Sequence, residues 1–251
     1  MALAFLLPVN ADSQPSLFGK RDDLKGPVRS VRSETARVSS ANDGKELSRV
    51  KVEAISYNRE RKATERSIYD DYGFYLGRET YHYDSKGWLS QENFYDSKSN
   101  LIETRIYSRD PHGKTIGIKT VDKKGQISRN RDYKHDINGN WVEELIQNSS
   151  EIVGKRISKF DSKGNITEVA HYNGQGLLQE KWLFGYDGET GNPTWEALYN
   201  SDGSLRKKLL HNYELDPKGN WIKRITSVHT VSPMSSLNES IFVTYRTITY
   251  Y

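Results

Sequence analysis

The sequence predicts an all-β protein: a long antiparallel up-and-down meander of hairpin repeats, strongly twisted, and either folded over as a sandwich or closed as a barrel. Three observations carry this reading. Turn motifs of the form Asp-x-x-Gly recur, as in Asp84-Ser85-Lys86-Gly87, Asp110-Pro111-His112-Gly113, Asp122-Lys123-Lys124-Gly125 and Asp161-Ser162-Lys163-Gly164. From residue 73 to residue 139 their fourth positions fall alternately 14 and 12 residues apart, a hairpin unit of about 26 residues. Aromatic and aliphatic residues recur in step with the turns, and the roughly eight residues between turns suit a strand and are too few for a helix.

The turn motif has a mechanism. Asp at the first position can bond its own backbone two residues on, and Gly at the fourth supplies a positive φ. A type I turn followed by a glycine bulge is a common hairpin closure. Three residues before the turn, in one phase, stand Tyr81, Tyr107, Tyr133, Ser158, Phe184 and Tyr213. One residue before it, in the other phase, stand Tyr69, Tyr95, Val121, Gln147, Tyr172 and Tyr199. Two residues after the glycine position come Leu89, Leu101, Ile127, Trp141, Ile166, Leu178, Leu205 and Trp221. Each set should align across neighbouring hairpins as a ladder of side-chain contacts.

The remaining elements extend the same pattern. Residues 1–11, MALAFLLPVNA, read as a partial signal peptide ending before Asp12. Residues 12–251 read as a single β-repeat domain, clearest between 69 and 222. Val28, Val31 and Val38 mark a first strand, Asn42-Asp43-Gly44 turns it, and Val50–Ile55 forms the next. A turn near Glu151 is expected by the count but lacks its glycine. Residues 12–25 and 229–240 read as the loosest parts, and Ile241–Tyr250 as a closing strand. The total is about sixteen strands. At ~4.8 Å spacing they would form a flat sheet about 75 Å wide, and open sheets rarely exceed ~10 strands without curling or closing.

Composition agrees with half-buried strands. The apolar share is 35% with Tyr included, below the roughly 45–50% of an average domain. The 11% aromatic content and net charge of +4 argue against disorder. The 37 basic and 33 acidic residues are interspersed, so no nucleic-acid partner is expected despite a pI near 9.0. No stretch is apolar enough for a helical membrane span. The absence of cysteine excludes disulfides, thiolate metal sites and a Cys nucleophile. Together with the leader, this points to an exported protein of the bacterial periplasm or exterior.

The unit Tyr83-Asp84-Ser85-Lys86-Gly87, and Phe160-Asp161-Ser162-Lys163-Gly164-Asn165-Ile166, resembles the YD repeat of the bacterial Rhs family. The resemblance covers roughly residues 69–222. It implies an exported or surface-associated protein whose repeats coil into long β-sheets. The chain is short and lacks the toxin-like or self-cleaving C-terminal segment of the large members, which favours a β-sheet scaffold over a shell around cargo.

Motifs of catalysis are scarce. His82, His112, His135, His171, His211 and His229 form no metal-ligand pair by spacing, and turn Asp residues accompanied by Lys suit capping better than calcium. Neither a phosphate loop nor a Gly-x-Ser-x-Gly elbow occurs. No catalytic residue, metal or cofactor is therefore expected. Glu143, Glu144, Glu180 and Glu196 are the carboxylates available to a glycoside hydrolase.

Trp88, Trp182 and Trp195 are the candidate ligand-binding residues, as flat rings on which a sugar could stack. Trp141 and Trp221 occupy ladder positions and read as core, whereas Trp88 lies one position earlier and should point the other way. The expected function is a non-catalytic binding or structural module at the bacterial envelope, its partner a carbohydrate or another surface protein. The alternative is an envelope polysaccharide hydrolase with carboxylates on a concave sheet face. A porin-like membrane barrel fits less well, since the strands lack a continuous apolar outer band and the mean hydropathy is −0.81.

Overall fold

The computed structural model describes residues 24–38, 45–148, 151–232 and 235–251. The leader expected over residues 1–11, the turn at Asn42-Asp43-Gly44 and the glycine-less turn before Glu151 lie outside the described residues. Sixteen strands follow one another. The first eight are β1 (Val28–Val38), β2 (Val50–Tyr57), β3 (Ala63–Tyr69), β4 (Tyr75–Tyr83), β5 (Leu89–Asp96), β6 (Leu101–Arg109), β7 (Thr115–Asp122) and β8 (Ile127–His135). The next four are β9 (Trp141–Asn148), β10 (Glu151–Phe160), β11 (Ile166–Asn173) and β12 (Leu178–Tyr186). The last four are β13 (Pro193–Asn200), β14 (Leu205–Leu215), β15 (Trp221–Ser232) and β16 (Ser235–Tyr250). Each pairs antiparallel with its sequence neighbours, and β1 pairs with β16 from Val28↔Tyr250 to Val38↔Ile241, closing a barrel. Closure, not a folded-over sandwich, resolves the wide sheet.

The Asp-x-x-Gly turns supply the geometry. At Asp84 the carbonyl accepts from Gly87 N–H at 2.9 Å, and Oδ1 accepts from the N–H groups of Lys86 and Trp88, each at 2.9 Å. The same four-residue lock recurs at Asp96, Asp110, Asp122 and Asp161. In place of glycine, Ser99 takes the left-handed conformation at φ 64. Each turn carries a register shift into its hairpin, such as that between His82 and Tyr83. Such bulges increase local twist, which a closing sheet requires.

One segment departs from expectation. Residues 229–232 and 235–240 are strand, not loop, with His229↔Glu239 and Thr230↔Asn238 in register. Their Ser- and Thr-rich composition hides a strand, but the β15–β16 ladder continues outward and satisfies its backbone groups.

Sixteen strands at ~4.8 Å, tilted by about 40°, enclose a backbone cylinder roughly 30 Å across. Among the described residues, strands come within 8 Å (Cα–Cα) only of their barrel neighbours. The closed wall thus bounds an interior, the lumen, lined by the side chains of its concave face.

Candidate functional site

Residues paired directly across strands share a face, so the pairings trace one face around the wall. The trace runs Val31–Ile55–Arg66–Glu79, then Glu92–Arg105–Thr120–Arg129, and on through Glu144–Arg156–His171–Glu180. This face holds the buried Val31, Arg66, Glu79, Thr120, Glu144, Leu209 and His211. On a closed wall, side chains converge on the concave face and splay on the convex one. The crowded face is therefore the lumen.

The two aromatic sets end up on opposite faces. Tyr81, Tyr107 and Tyr133 stand on the inner face through Tyr81↔Glu92, Tyr107↔Ile118 and Tyr133↔Glu144. Tyr69, Tyr95, Tyr172 and Tyr199 face outward. The ladder two residues after the glycine splits likewise. Leu89, Trp141, Ile166 and Trp221, at the mouth that carries the Asp84 and Asp110 turns, point inward. Leu101, Ile127, Leu178 and Leu205, at the mouth with the Asp96 and Asp122 turns, point outward. Inward rings meet edge to face: Trp141 lies 6.1 Å from Tyr133 and 6.3 Å from Phe160, and Tyr213 lies 6.0 Å from Trp221. The guanidinium of Arg246 covers Trp221 at 3.5 Å.

Below this rung the lumen carries a belt of charge. Five residues before each turn of the first mouth stand Glu53, Glu79, Arg105, Arg131, Arg156, Trp182 and His211. Five residues after the turn's fourth position stand Arg66, Glu92, Ile118, Glu144, Val169, Glu196 and Arg224. The two series interdigitate. Arg66 bridges Glu53 at 2.8 Å and Glu79 at 3.5 Å. Glu144 sits between Arg131 at 3.3 Å and Arg156 at 3.0 Å, and accepts from the Tyr133 hydroxyl at 3.1 Å. Arg105 holds Glu92 at 3.6 Å and Glu103 at 3.0 Å. His211 contacts Glu196 at 3.3 Å and Thr226 at 3.0 Å. Nearer the second mouth, Glu180 is held by His171 at 3.2 Å and Arg206 at 2.7 Å.

The electrostatics follow from this packing. Burial, reinforced by the carboxylates of Glu79, Glu92 and Glu144, pushes the phenols of Tyr81, Tyr107 and Tyr133 well above their ordinary range. Hydrogen bonding to His171, with help from Arg206, lowers Glu180 to about 2. Burial would lower Arg66, but Glu53 and Glu79 more than offset it and raise the group.

The candidate tryptophans do not form one site. Trp182 faces the lumen on β12, its ring stacked on Phe184 at 6.2 Å and 17°. Trp88 is half-buried at the first mouth, seven strands away. It lines a cleft of about 450 Å³ with Asp84, Tyr107, Arg109, Asp110 and Pro111. Its ring lies against the neighbouring turn so closely that a Cβ on Gly113 would stand 2.6 Å from it. Lys86 Nζ sits 4.8 Å from the ring. Trp195 lies on the outer wall over Gly185, where a Cβ would come within 2.0 Å of its indole nitrogen. Of the carboxylates, Glu144, Glu180 and Glu196 face inward and Glu143 outward.

Sequence reasoning missed the belt. Its signal was present, a charged residue five positions from each first-mouth turn, but a charged position on a half-buried strand carries no mark of which face will be concave.

What the fold and lumen define is an up-and-down β-barrel with a charged, aromatic-lined interior. No family model and no curated protein matches the sequence. Among solved structures, a porin-like protein from Bacteroides uniformis aligns over 90% of this chain and 98% of its own, with a TM-score of 0.62 at 11% identity. A porin-like protein from Bacteroides vulgatus covers 91% of this chain and 99% of its own at 13% identity, with a TM-score of 0.34. The first of these shares the barrel fold.

Proposed function

We propose that this chain is a non-catalytic, exported β-barrel of the bacterial envelope that binds a glycan in its lumen, and that its hairpin units are YD-like. The observation that carries the reading is the contrast between the two faces of the wall. The inner face interleaves aromatic rings with guanidinium, carboxylate and hydroxyl groups, the mixture that stacks on and hydrogen-bonds to sugars. The outer face carries exposed ion pairs at Arg78–Glu65 (3.0 Å), Lys134–Glu143 (2.7 Å), Lys159–Glu168 (2.9 Å) and Lys223–Glu214 (2.6 Å). A Lys or Arg on the lipid face of a barrel costs about 2–4 kcal/mol at the bilayer midplane. An outer wall of this kind belongs in water, so the barrel shares its fold with a porin-like protein but works outside the bilayer.

The hydrolase alternative has less support. Glu144, Glu180 and Glu196 are each engaged by Arg or His, and Glu180 is held at about 2, whereas a general acid needs a raised pKa. Titration of bacterial envelope and capsular oligosaccharides against the wild type and Trp182→Ala tests the proposal. The expected result is binding that weakens severalfold on losing the Trp182 ring, while Trp195→Ala leaves it unchanged. Binding to no saccharide would overturn the reading.

A further inference from the structure

We infer an oxyanion-binding subsite on the lumen wall where the charge belt is interrupted at Ile118, suited to the carboxylate or sulfate of an acidic saccharide. This deepens the lumen-binding proposal and rests on it for the saccharide, though not for the anion. On either side of this point the belt alternates in sign: Arg66 lies between Glu53 and Glu79, and Glu144 between Arg131 and Arg156. Between Arg105 and Arg131 the equivalent position is Ile118, buried and without charge. Ile118 lies directly opposite Arg131 across β7–β8.

The groups around this gap are those an oxyanion needs. Thr120 stands opposite both Arg105 and Arg129, so three consecutive strands present Arg, Thr and Arg in one row. Thr120 is 3% exposed, and its Oγ1 has no hydrogen-bond partner among the described residues. A buried hydroxyl left unpaired is costly and calls for a partner. Arg131 keeps a buried Nη1 without a partner, although its Nε is committed to Glu144. Arg129 is exposed to the lumen and forms no ion pair among the described residues. Partial burial, then the like charge of Arg131 and, more weakly, Arg105, lowers its guanidinium pKa against the opposing pull of Glu103 and Glu144; a bound anion would relieve that repulsion. The nearby carboxylates are committed to the neighbours of Arg129: Glu103 and Glu92 to Arg105 at 3.0 and 3.6 Å, and Glu144 to Arg131 at 3.3 Å. The cluster thus has spare donors, and the carboxylates beside it are already engaged by Arg105 and Arg131. Planar guanidiniums in this number favour bidentate capture of a carboxylate or sulfate.

The test compares the full chain with Arg129→Gln, which loses no ion pair, and with Ile118→Glu, which supplies the missing carboxylate from within. Sodium sulfate is titrated against sodium chloride at equal ionic strength while the thermal midpoint is followed. Sulfate stabilises proteins generally, so the difference between chains is what counts. The wild type should gain about 2–4 °C more than either variant, the shift expected of a modest ligand on a chain this size. An equal gain in all three would overturn the subsite. A second arm measures binding of an oligogalacturonate and its methyl ester. A preference of about tenfold for the free acid, lost in Arg129→Gln, ties the anion to a saccharide. Sulfate-specific stabilisation with no preference between the acid and the ester would leave a free-anion site and refute the saccharide assignment. Binding of both forms with the same affinity by all three chains, and no sulfate effect, would sink the subsite yet keep the lumen proposal.

Discussion

Glu143 and Glu144 are neighbours on β9 with the same side chain, yet the barrel puts them in different worlds. Glu143 faces outward and pairs with Lys134 at 2.7 Å, whose side chain is 71% exposed. Glu144 faces inward, fully buried between two guanidiniums and a tyrosine hydroxyl. The lesson is that in a barrel wall one step of sequence decides whether a charge contributes little or anchors a network. Removing Glu144 as alanine should destabilise the protein by about 3–5 kcal/mol, since it leaves Arg131 and Arg156 buried and uncompensated. Glu143→Ala should cost no more than ~0–1 kcal/mol, the worth of an exposed pair. Urea unfolding of both variants checks the contrast, and equal costs would break it.

The same opposition separates the two mouths. Ile166 and Ile127 occupy the same place in their turns, but Ile166 is 6% exposed and points inward while Ile127 is 46% exposed and points outward. Ile166→Ala should cost about 2–4 kcal/mol and Ile127→Ala under ~1 kcal/mol by the same unfolding measurement. Turn glycines sharpen the comparison further. Gly113 and Gly125 both take a positive φ, at 87° and 79°, but only Gly113 has a ring against it. Alanine at Gly125 should cost about 1 kcal/mol of left-handed strain. At Gly113 the clash with Trp88 should add to that, visible as a larger fall in the thermal midpoint.

The smallest expected effect concerns pH. Glu180 is lowered from the ordinary 4.5 to about 2. Its contribution is therefore present above the unfolded-state value and is lost as pH falls from about 4.5 through 2. Because the group is partly exposed, the loss is modest. Glu180→Gln should flatten the fall of the thermal midpoint between pH 5 and 2 relative to the wild type, and an unchanged slope would place the dependence elsewhere.

Much of this was legible beforehand, and the failures have a physical cause. Asp84, Asp110 and their counterparts are local devices, so the turns and the sixteen strands follow from short-range chemistry. The ladders were also visible, as Tyr81-Tyr107-Tyr133 and Tyr69-Tyr95. Which ladder would face inward depends on closure, and closure depends on β1 meeting β16 across more than two hundred residues. The belt escaped for the same reason: Arg131 and Glu144 look solvated until a concave wall buries them. Trp182 holds a belt position, five residues before its turn, whereas Trp88 and Trp195 each cover a glycine of a neighbouring segment. Only the first now has the placement of a lumen ligand group.

The central claim is a wall wet on the outside with its binding surface within, and one measurement addresses it most directly. The refolded chain is examined by sedimentation in detergent-free buffer and then for ion conductance in planar bilayers. The account predicts a monodisperse species without detergent and no channels. Aggregation that only detergent relieves, together with stepwise conductance, would contradict it.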